Sequence, residues 1–126
     1  MLETNLRKTI RNVPDFPKSG ILFKDITPLF HNPKLCTGIV EELASRFGSL
    51  GLNAIVGVES RGFFFGFALA NRLNIPFILV RKAGKLPYKT ISCEYALEYG
   101  TAKIEMQQEE VKPNWNILIH DDLLAT

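Results

Sequence analysis

Two adjacent carboxylates, Asp121 and Asp122, stand directly after an apolar run near the end of this 126-residue sequence. The residues before them, 117–119, are all Ile or Leu and are typical of a buried strand. In open parallel sheets, ligands bind beyond the carboxyl ends of such strands. Paired aspartates attract a hydroxyl-rich or metal-associated ligand and repel a bare anion. The sequence therefore predicts a ligand site at this strand end.

The final residues, 123–126, are typical of the entry to a phosphate-binding loop. Such loops need glycine next, because a backbone without Cβ lets successive N–H groups converge on an anion. No residue follows Thr126 in this sequence. We therefore expect the sequence to break off inside its own site, and the chain as given to be inactive.

A second cluster consists of Glu59, Ser60 and Arg61, which follow another apolar run. Backbone N–H groups in a turn of this kind can bind an anion, and the guanidinium adds a forked donor. An ordinary strand-to-helix turn with Ser60 as the N-cap explains the same residues. Sequence physics alone gives these two interpretations equal weight.

A third cluster is basic and contains Arg81, Lys82 and Lys85, with no acidic residue between Glu59 and Glu94. Gly84 makes this segment mobile, and a mobile cationic loop suits closure over a polyphosphate. A solvated surface turn is the alternative, and composition alone favours it.

Alternating strand and helix patterns predict the elements that position these clusters. The predicted elements are a helix over 2–12, strands over 54–58, 75–80 and 117–119, helices from 33 and over 63–73, and a hairpin of 94–99 with 101–107. This order indicates an α/β fold with a parallel sheet flanked by helices. We expect one domain over 1–126.

Composition narrows the class of protein. A net charge of +2 is too small to indicate nucleic acid or a membrane surface as partner. No apolar stretch is long enough to span a bilayer, and the N-terminus lacks a signal-peptide pattern. Cys36 and Cys93 match no metal spacing and are interpreted as reduced thiols of a cytoplasmic protein.

Several segments together resemble the type I phosphoribosyltransferases, and in detail the adenine phosphoribosyltransferase family. The segments, in the order of that family, are 14–17, 20–29, 59–63, 81–87, 97–100 and the acidic motif 121–126. The resemblance covers nearly the whole chain and implies a type I phosphoribosyltransferase-like α/β fold whose C-terminal part is missing. It implies a helix and base-binding hood over 1–30 and an incomplete core over 31–126.

The resemblance also implies a role for each cluster. Asp121 and Asp122 would bind the ribose of phosphoribosyl pyrophosphate (PRPP), and Ala125 and Thr126 would begin its 5′-phosphate cradle. Residues that would bind pyrophosphate are Glu59, Ser60, Arg61, Arg81, Lys82 and Lys85. Residues that would bind adenine are Leu22, Phe23 and Lys24. Glu59 stands where the family often has Asp, and Tyr88 where it often has Gly.

Some residues have a simpler interpretation without the family. By resemblance Glu98 lies near the adenine imidazole edge and acts as the general acid or base. Spacing alone makes Glu98 an exposed strand glutamate and Phe23 a core residue. His120 departs from the usual apolar residue before the acidic pair. It is interpreted as an outward or hydrogen-bonded strand histidine and is assigned no role.

The function implied is purine salvage, in which adenine and PRPP give AMP and pyrophosphate. Mg²⁺ would be held mainly by PRPP oxygens and water, with no protein ligands assigned. The family implies a homodimer. A regulatory module that senses PRPP or a purine without turnover remains an alternative, which an assay for AMP would separate. A receiver-type signalling domain would need its acidic pair after the first strand, and acetyl phosphate labelling would test it.

Overall fold

A computed structural model of the protein describes residues 1–97 and 99–123. Three predicted site residues, Glu98, Ala125 and Thr126, lie outside the described residues. Contacts divide the chain into the units Met1–Glu42 and Leu43–Thr126, and the division falls within a helix. Within the described residues, every helix lacks the apolar length that a membrane crossing requires.

The first unit starts with a helix and a small antiparallel ladder. Its elements are α1 (Leu2–Thr9), β1 (Arg11–Pro14), β2 (Leu22–Asp25), a 3₁₀-helix (Thr27–His31) and the start of α2 (Pro33–Phe47). The prediction of a helix over 2–12 is wrong at its C-terminal end. Residues from Arg11 onward pair with β2 instead, because Pro14 ends any helix and the ladder satisfies the backbone groups of an extended segment.

The N-terminus of α2 is formed as the sequence predicts. The side-chain Oδ1 of Asn32 accepts a hydrogen bond from the backbone N–H of Leu35 at 3.0 Å. Pro33 occupies the first helical position, where its missing N–H costs nothing. Leu35 is buried one turn into the helix. The sequence alone predicts this helix start because Asn32 and Pro33 both act within the first turn.

The second unit is built on one five-stranded sheet. Its elements are β3 (Ala54–Val58), α3 (Gly62–Leu73), β4 (Phe77–Lys82), β5 (Thr90–Leu97), β6 (Gly100–Gln107) and β7 (Ile117–His120). The strand order is β5-β6-β4-β3-β7. Strand β3 runs parallel to both β4 and β7, as predicted. The predicted hairpin is present as β5 and β6, and its antiparallel pairing with β4 makes the whole sheet mixed.

Both faces of β3 are buried, which explains its unbroken apolar sequence. On one face Ile55 packs with Leu69 and Ala70 of α3. On the other face Ala54, Val56 and Ile78 form a cluster against partly buried side chains. Those side chains are Val80, Met106, Val111 and Trp115. Strand β3 is therefore the centre of the core and holds its two neighbours in place.

Gly57 permits the closest approach within this core. A Cβ at Gly57 would overlap the Phe77 ring, with Cε1 at 2.7 Å, and would lie 2.9 Å from the backbone oxygen of Gly62. A backbone oxygen cannot move aside as the end of a flexible side chain can. The first turn of α3 can therefore lie against β3 only because residue 57 has no side chain.

We expect Gly57→Ala to lower the free energy of unfolding by about 1–3 kcal/mol, the usual cost of overpacking a core. Gly38→Ala in α2 is the matched control, because a Cβ there would meet only the Leu2 Cδ1 at 3.3 Å. Alanine is favoured over glycine within a helix, so the control should retain or gain stability. Urea denaturation followed by circular dichroism compares the two variants, and equal midpoints would contradict the close-approach argument.

Candidate active site

Three neighbouring parallel strands end at the same edge of the sheet, and each carries predicted site residues there. Glu59 directly follows β3, Arg81 lies near the end of β4, and Asp121 follows β7. Loops at the carboxyl ends of parallel strands are the usual ligand sites of α/β folds. The structure thus brings together the three clusters that the sequence places far apart.

Glu59 and Arg81 form the first ion pair of this edge. The Arg81 Nε–H donates to Glu59 Oε1 at 2.6 Å, and the two side chains are 33% and 13% exposed, respectively. Burial acts to raise the pKa of Glu59, but the hydrogen bond and charge of Arg81, helped by Lys82, hold it below its ordinary value. The carboxylate therefore remains ionised and fixes the Arg81 guanidinium.

Arg61 and Asp122 form the second ion pair, with the Nε and Oδ2 atoms 3.2 Å apart. Asp122 also donates its backbone N–H to Asp121 Oδ1 at 2.8 Å, which orients the first carboxylate. Burial and the adjacent Asp121 raise the pKa of Asp122, and the Arg61 charge opposes them. Asp122 therefore takes up a proton more readily than an ordinary aspartate.

The turn between β3 and α3 is not a side-chain-capped helix start. Helix α3 begins at Gly62 with Arg61 in the capping position, and the Arg61 side chain makes no capping hydrogen bond. Ser60 accepts a hydrogen bond from the Phe63 N–H through its backbone oxygen, not its hydroxyl. The interpretation of Ser60 as an N-cap is therefore wrong. A helix N-terminus carries partial positive charge, which is favourable for an anion at this position.

Gly62 brings the start of α3 against the end of β7. A Cβ on Gly62 would lie 2.7 Å from the backbone oxygen of His120 and 3.2 Å from Asp121 Oδ1. This close approach carries Arg61, the preceding residue, to Asp122. Sequence reasoning treated Gly62 only as part of an anion-binding turn. Its recurrence with Gly66 four residues later was the available signal for a helix face that touches the sheet.

The basic cluster is part of an anchored turn after β4. The backbone N–H of Ala83 donates to Lys103 O at 3.0 Å, and that of Gly84 donates to Glu105 Oε1 at 2.7 Å. The Thr90 hydroxyl donates to the second Glu105 oxygen at 3.0 Å. These hydrogen bonds hold the pKa of Glu105 below its ordinary value. Closure of this turn over a ligand stays a prediction.

Glu105 is a residue that sequence reasoning missed. Its alternation with Lys103 and Gln107 on β6 predicts a solvent-facing side chain. In the structure it is half-buried and holds the turn that carries Lys82 and Lys85. No local signal marks this role, because the two donors lie in other parts of the chain.

The predicted adenine segment lies on β2, in the first unit. The Phe23 ring is half-buried and packs edge-to-face on Phe16, with centroids 5.1 Å apart. The Lys24 Nζ donates to Asn12 Oδ1 at 2.6 Å, and Leu22 is 54% exposed. The exposed Leu22 side chain provides an apolar surface, and the base-binding role of the segment stays a prediction.

The described residues hold no group of three or more His, Cys, Asp or Glu side chains that could enclose a metal ion. Two of the carboxylates at the strand ends, Glu59 and Asp122, are already paired with arginine. A divalent cation at this edge would therefore take most of its ligands from a bound substrate and water.

Two arginine–carboxylate pairs and a basic turn thus lie at the ends of parallel strands, an arrangement suited to a ligand that carries both anionic groups and hydroxyls. No protein-family model matches the chain. The chain is 55% identical over 121 residues to an adenine phosphoribosyltransferase of Ureaplasma parvum serovar 3, covering 96% of this chain and 70% of that protein.

Solved structures of adenine phosphoribosyltransferases are also similar to this chain. The adenine phosphoribosyltransferase of Rhodothermus marinus superposes with a TM-score of 0.89 at 49% identity, over 98% of this chain and 70% of that one. The Saccharomyces cerevisiae enzyme, solved with an imino-altritol bisphosphate and adenine, gives 0.86 at 38% identity, over 94% and 69%. The chain belongs to the adenine phosphoribosyltransferase family.

Proposed function

We propose that the edge formed by β3, β4 and β7 is where this enzyme of purine salvage transfers the phosphoribosyl group of PRPP to adenine, giving AMP and pyrophosphate. The observation that carries the assignment of the site is the Arg61–Asp122 pair. It joins a cation suited to phosphate to a carboxylate suited to ribose hydroxyls. The 55% identity to a named adenine phosphoribosyltransferase supports the reaction itself.

In this reaction the bond from ribose C1 to the pyrophosphate oxygen breaks, and its electron pair leaves with pyrophosphate. Arg61, Arg81, Lys82 and Lys85 stabilise the charge that develops on this leaving group. Their fixed positive charges are most effective in the transition state, where the departing oxygen becomes anionic. The Glu59 carboxylate contributes to pyrophosphate binding by holding Arg81 in place, while the Ser60 backbone completes the turn.

The ribosyl carbon becomes cationic as pyrophosphate leaves, and Asp121 and Asp122 oppose that positive charge while binding the ribose hydroxyls. An adenine ring nitrogen then forms the new bond to C1, and adenine loses a proton. Glu98 accepts that proton as the general base. Ala125 and Thr126 begin the cradle of the 5′-phosphate. These assignments rest on the family motif, since Glu98, Ala125 and Thr126 lie outside the described residues.

Mg²⁺ would be held mainly by PRPP oxygens and water, with no protein ligands assigned. When bound, it neutralises charge on the pyrophosphate oxygens. We place the reaction in the cytoplasm, where the two free cysteines, Cys36 and Cys93, would remain reduced.

The preference of the enzyme for adenine over other purine bases tests the proposed function. Leu22, Phe23 and Lys24 lie on a short strand whose backbone groups can read the edge of adenine while an aromatic ring stacks on it. A carbonyl in place of the exocyclic amine leaves such groups unmatched, at about 1–3 kcal/mol each. We therefore expect kcat/KM for adenine to exceed that for hypoxanthine by about tenfold or more. Equal values in a steady-state assay of AMP and IMP would contradict the adenine assignment.

The protein functions as a homodimer in this proposal. Helix α3 and β4 form an open aromatic groove of about 520 Å³. Phe67 is 54% exposed and Leu79 is 37% exposed there. An apolar surface of this kind is typical of an interaction site, and a second copy of the chain is the partner that the family implies.

Phe67→Glu should weaken the dimer about tenfold or more, because it places a charge in an apolar interface. Leu50→Glu is the matched control, since Leu50 is similarly exposed, at 55%, but does not line the groove. Light scattering after size-exclusion chromatography measures the mass of each variant. A Phe67→Glu protein that remained as dimeric as the control would exclude this surface.

A further inference from the structure

His120 ends β7 immediately before the aspartate pair and has no part in the reaction described above. It lies opposite Gly57 in the register of β3 and β7. Its Nε2 atom is buried and has no hydrogen-bond partner among the described residues. The interpretation of His120 as an outward or hydrogen-bonded histidine is therefore wrong. A buried polar atom without a partner calls for an explanation.

The His120 ring lies in the space that Gly66 of α3 leaves open. A Cβ at Gly66 would be 3.3 Å from His120 Cδ2 and 2.9 Å from Phe77 Cε1. The Cδ2 atom is bonded to Nε2, so this buried edge of the ring faces the helix. The imidazole thus fills the junction between the end of β7 and α3.

Among the described residues, charged groups flank this junction at the end of β7, before α3 and after β3. Asp121 and Asp122 follow β7, and their charges act to raise the pKa of His120. Burial outweighs them, so the pKa lies below its ordinary value of 6.5. Arg61 precedes α3 and is paired with Asp122, while Glu59 follows β3 and is paired with Arg81.

We propose that His120 is a positioning residue that makes the placement of the Asp121–Asp122 pair depend on pH. A neutral imidazole can keep its only N–H on Nδ1 and leave Nε2 as a bare lone pair against the helix. A protonated ring must carry an N–H on Nε2 as well, with a charge and no partner. It would therefore turn toward Asp121 or Asp122 and draw that carboxylate away from its place in the site.

This role rests on the proposed function and makes a distinct kinetic prediction. Pairing of His120 with an aspartate removes negative charge from the ribosyl centre, where it matters in the transition state. PRPP is bound largely by the cationic residues. Acidification should therefore lower kcat more than it raises the KM for PRPP. A residue that only filled space would not make kcat depend on pH more strongly than the KM for PRPP.

The test compares pH profiles of the wild type and His120→Val, which restores the apolar residue usual in the family at this position. As the pH is lowered through the depressed pKa of His120, wild-type kcat should fall about threefold or more beyond the fall of the variant, while the two KM values stay parallel. His31→Gln, which changes the other, exposed histidine, should follow the wild type. Coincident profiles for wild type and His120→Val would overturn the proposal.

A second measurement follows the protonation of His120 directly, without a variant of His120 and without catalytic turnover. The chain has two histidines, so the ring-proton NMR signals of the wild type give two titration curves, assigned with His31→Gln. The His120 curve should have the lower midpoint, and its protonation should shift the Asp121 and Asp122 carboxyl signals. Unshifted carboxyl signals would exclude the pairing. A lack of AMP formation at every pH would instead count against the proposed function.

Discussion

Asp122→Asn should lower kcat by about 10²–10³-fold, the usual cost of removing one preorganised group that stabilises transition-state charge. The substitution keeps the shape of the side chain but removes the carboxylate that, in the proposed mechanism, opposes the cationic ribosyl centre. It also removes the negative charge that pairs with Arg61, whose Nε lies 3.2 Å from Asp122 Oδ2. Steady-state kinetics with adenine and PRPP at neutral pH measures the effect.

Glu3→Gln is the matched control for this prediction. It also removes a carboxylate from an arginine pair, that with Arg7 at 2.8 Å, but both side chains are more than three-quarters exposed. An exposed pair of this kind contributes about 0–1 kcal/mol, and activity should not change. If Asp122→Asn lowered kcat by less than about threefold, the role of Asp122 in stabilising the transition state would be contradicted.

The effect of Asp122→Asn should also depend on pH. The pKa of Asp122 is raised above its ordinary value by burial and by Asp121. As pH falls through this raised pKa, the wild-type carboxylate becomes protonated and loses its charge. The side-chain amide of the Asp122→Asn variant carries no charge at any pH. The ratio of wild-type to variant kcat should therefore shrink toward acid. A ratio that stayed constant would indicate a steric effect.

Glu98→Gln should lower kcat by about 10²–10⁴-fold, the typical contribution of a general acid or base. Glutamine keeps the size of the side chain and its hydrogen bonding but cannot accept the proton that adenine loses. The affinity for PRPP should change little, because the family motif places this residue beside the base. Single-turnover kinetics together with titration of PRPP and Mg²⁺ separates the two quantities.

Glu94→Gln is the control for Glu98. Glu94 is an exposed residue of β5 and pairs in register with Lys103 of β6. Its substitution removes an equal charge from β5, at a residue to which the resemblance assigns no role. If Glu98→Gln kept kcat within about threefold, or if Glu94→Gln lost as much activity, the catalytic assignment of Glu98 would be withdrawn.

Some elements were predictable because their signals are local. The apolar run 54–58 gives β3 at the predicted bounds, since a central strand buries both of its faces. Asn32 and Pro33 give the start of α2, because both act within the first helical turn. The position of two aspartates after an apolar strand likewise follows from sequence order alone.

Other boundaries depended on pairing between distant segments. The sequence predicts that the strand from residue 75 ends at Val80, where the apolar residues stop. In the structure β4 continues through Lys82, because Arg81 and Lys82 pair in register with Glu105 and Ile104 of β6. Pairing likewise explains β1. Its residues are extended because they pair with β2, and their own composition does not predict a strand.

The sequence by itself determined the central strands, the start of α2 and the order of the chemical clusters, because each is encoded within a few neighbouring residues. Only the tertiary structure decided that Arg61 meets Asp122, that Glu59 holds Arg81 and that Glu105 anchors the basic turn. These contacts depend on which strands are neighbours and on how closely α3 approaches them at Gly62 and Gly66. Strand order and helix approach arise from packing of the whole unit, so no local pattern specifies them.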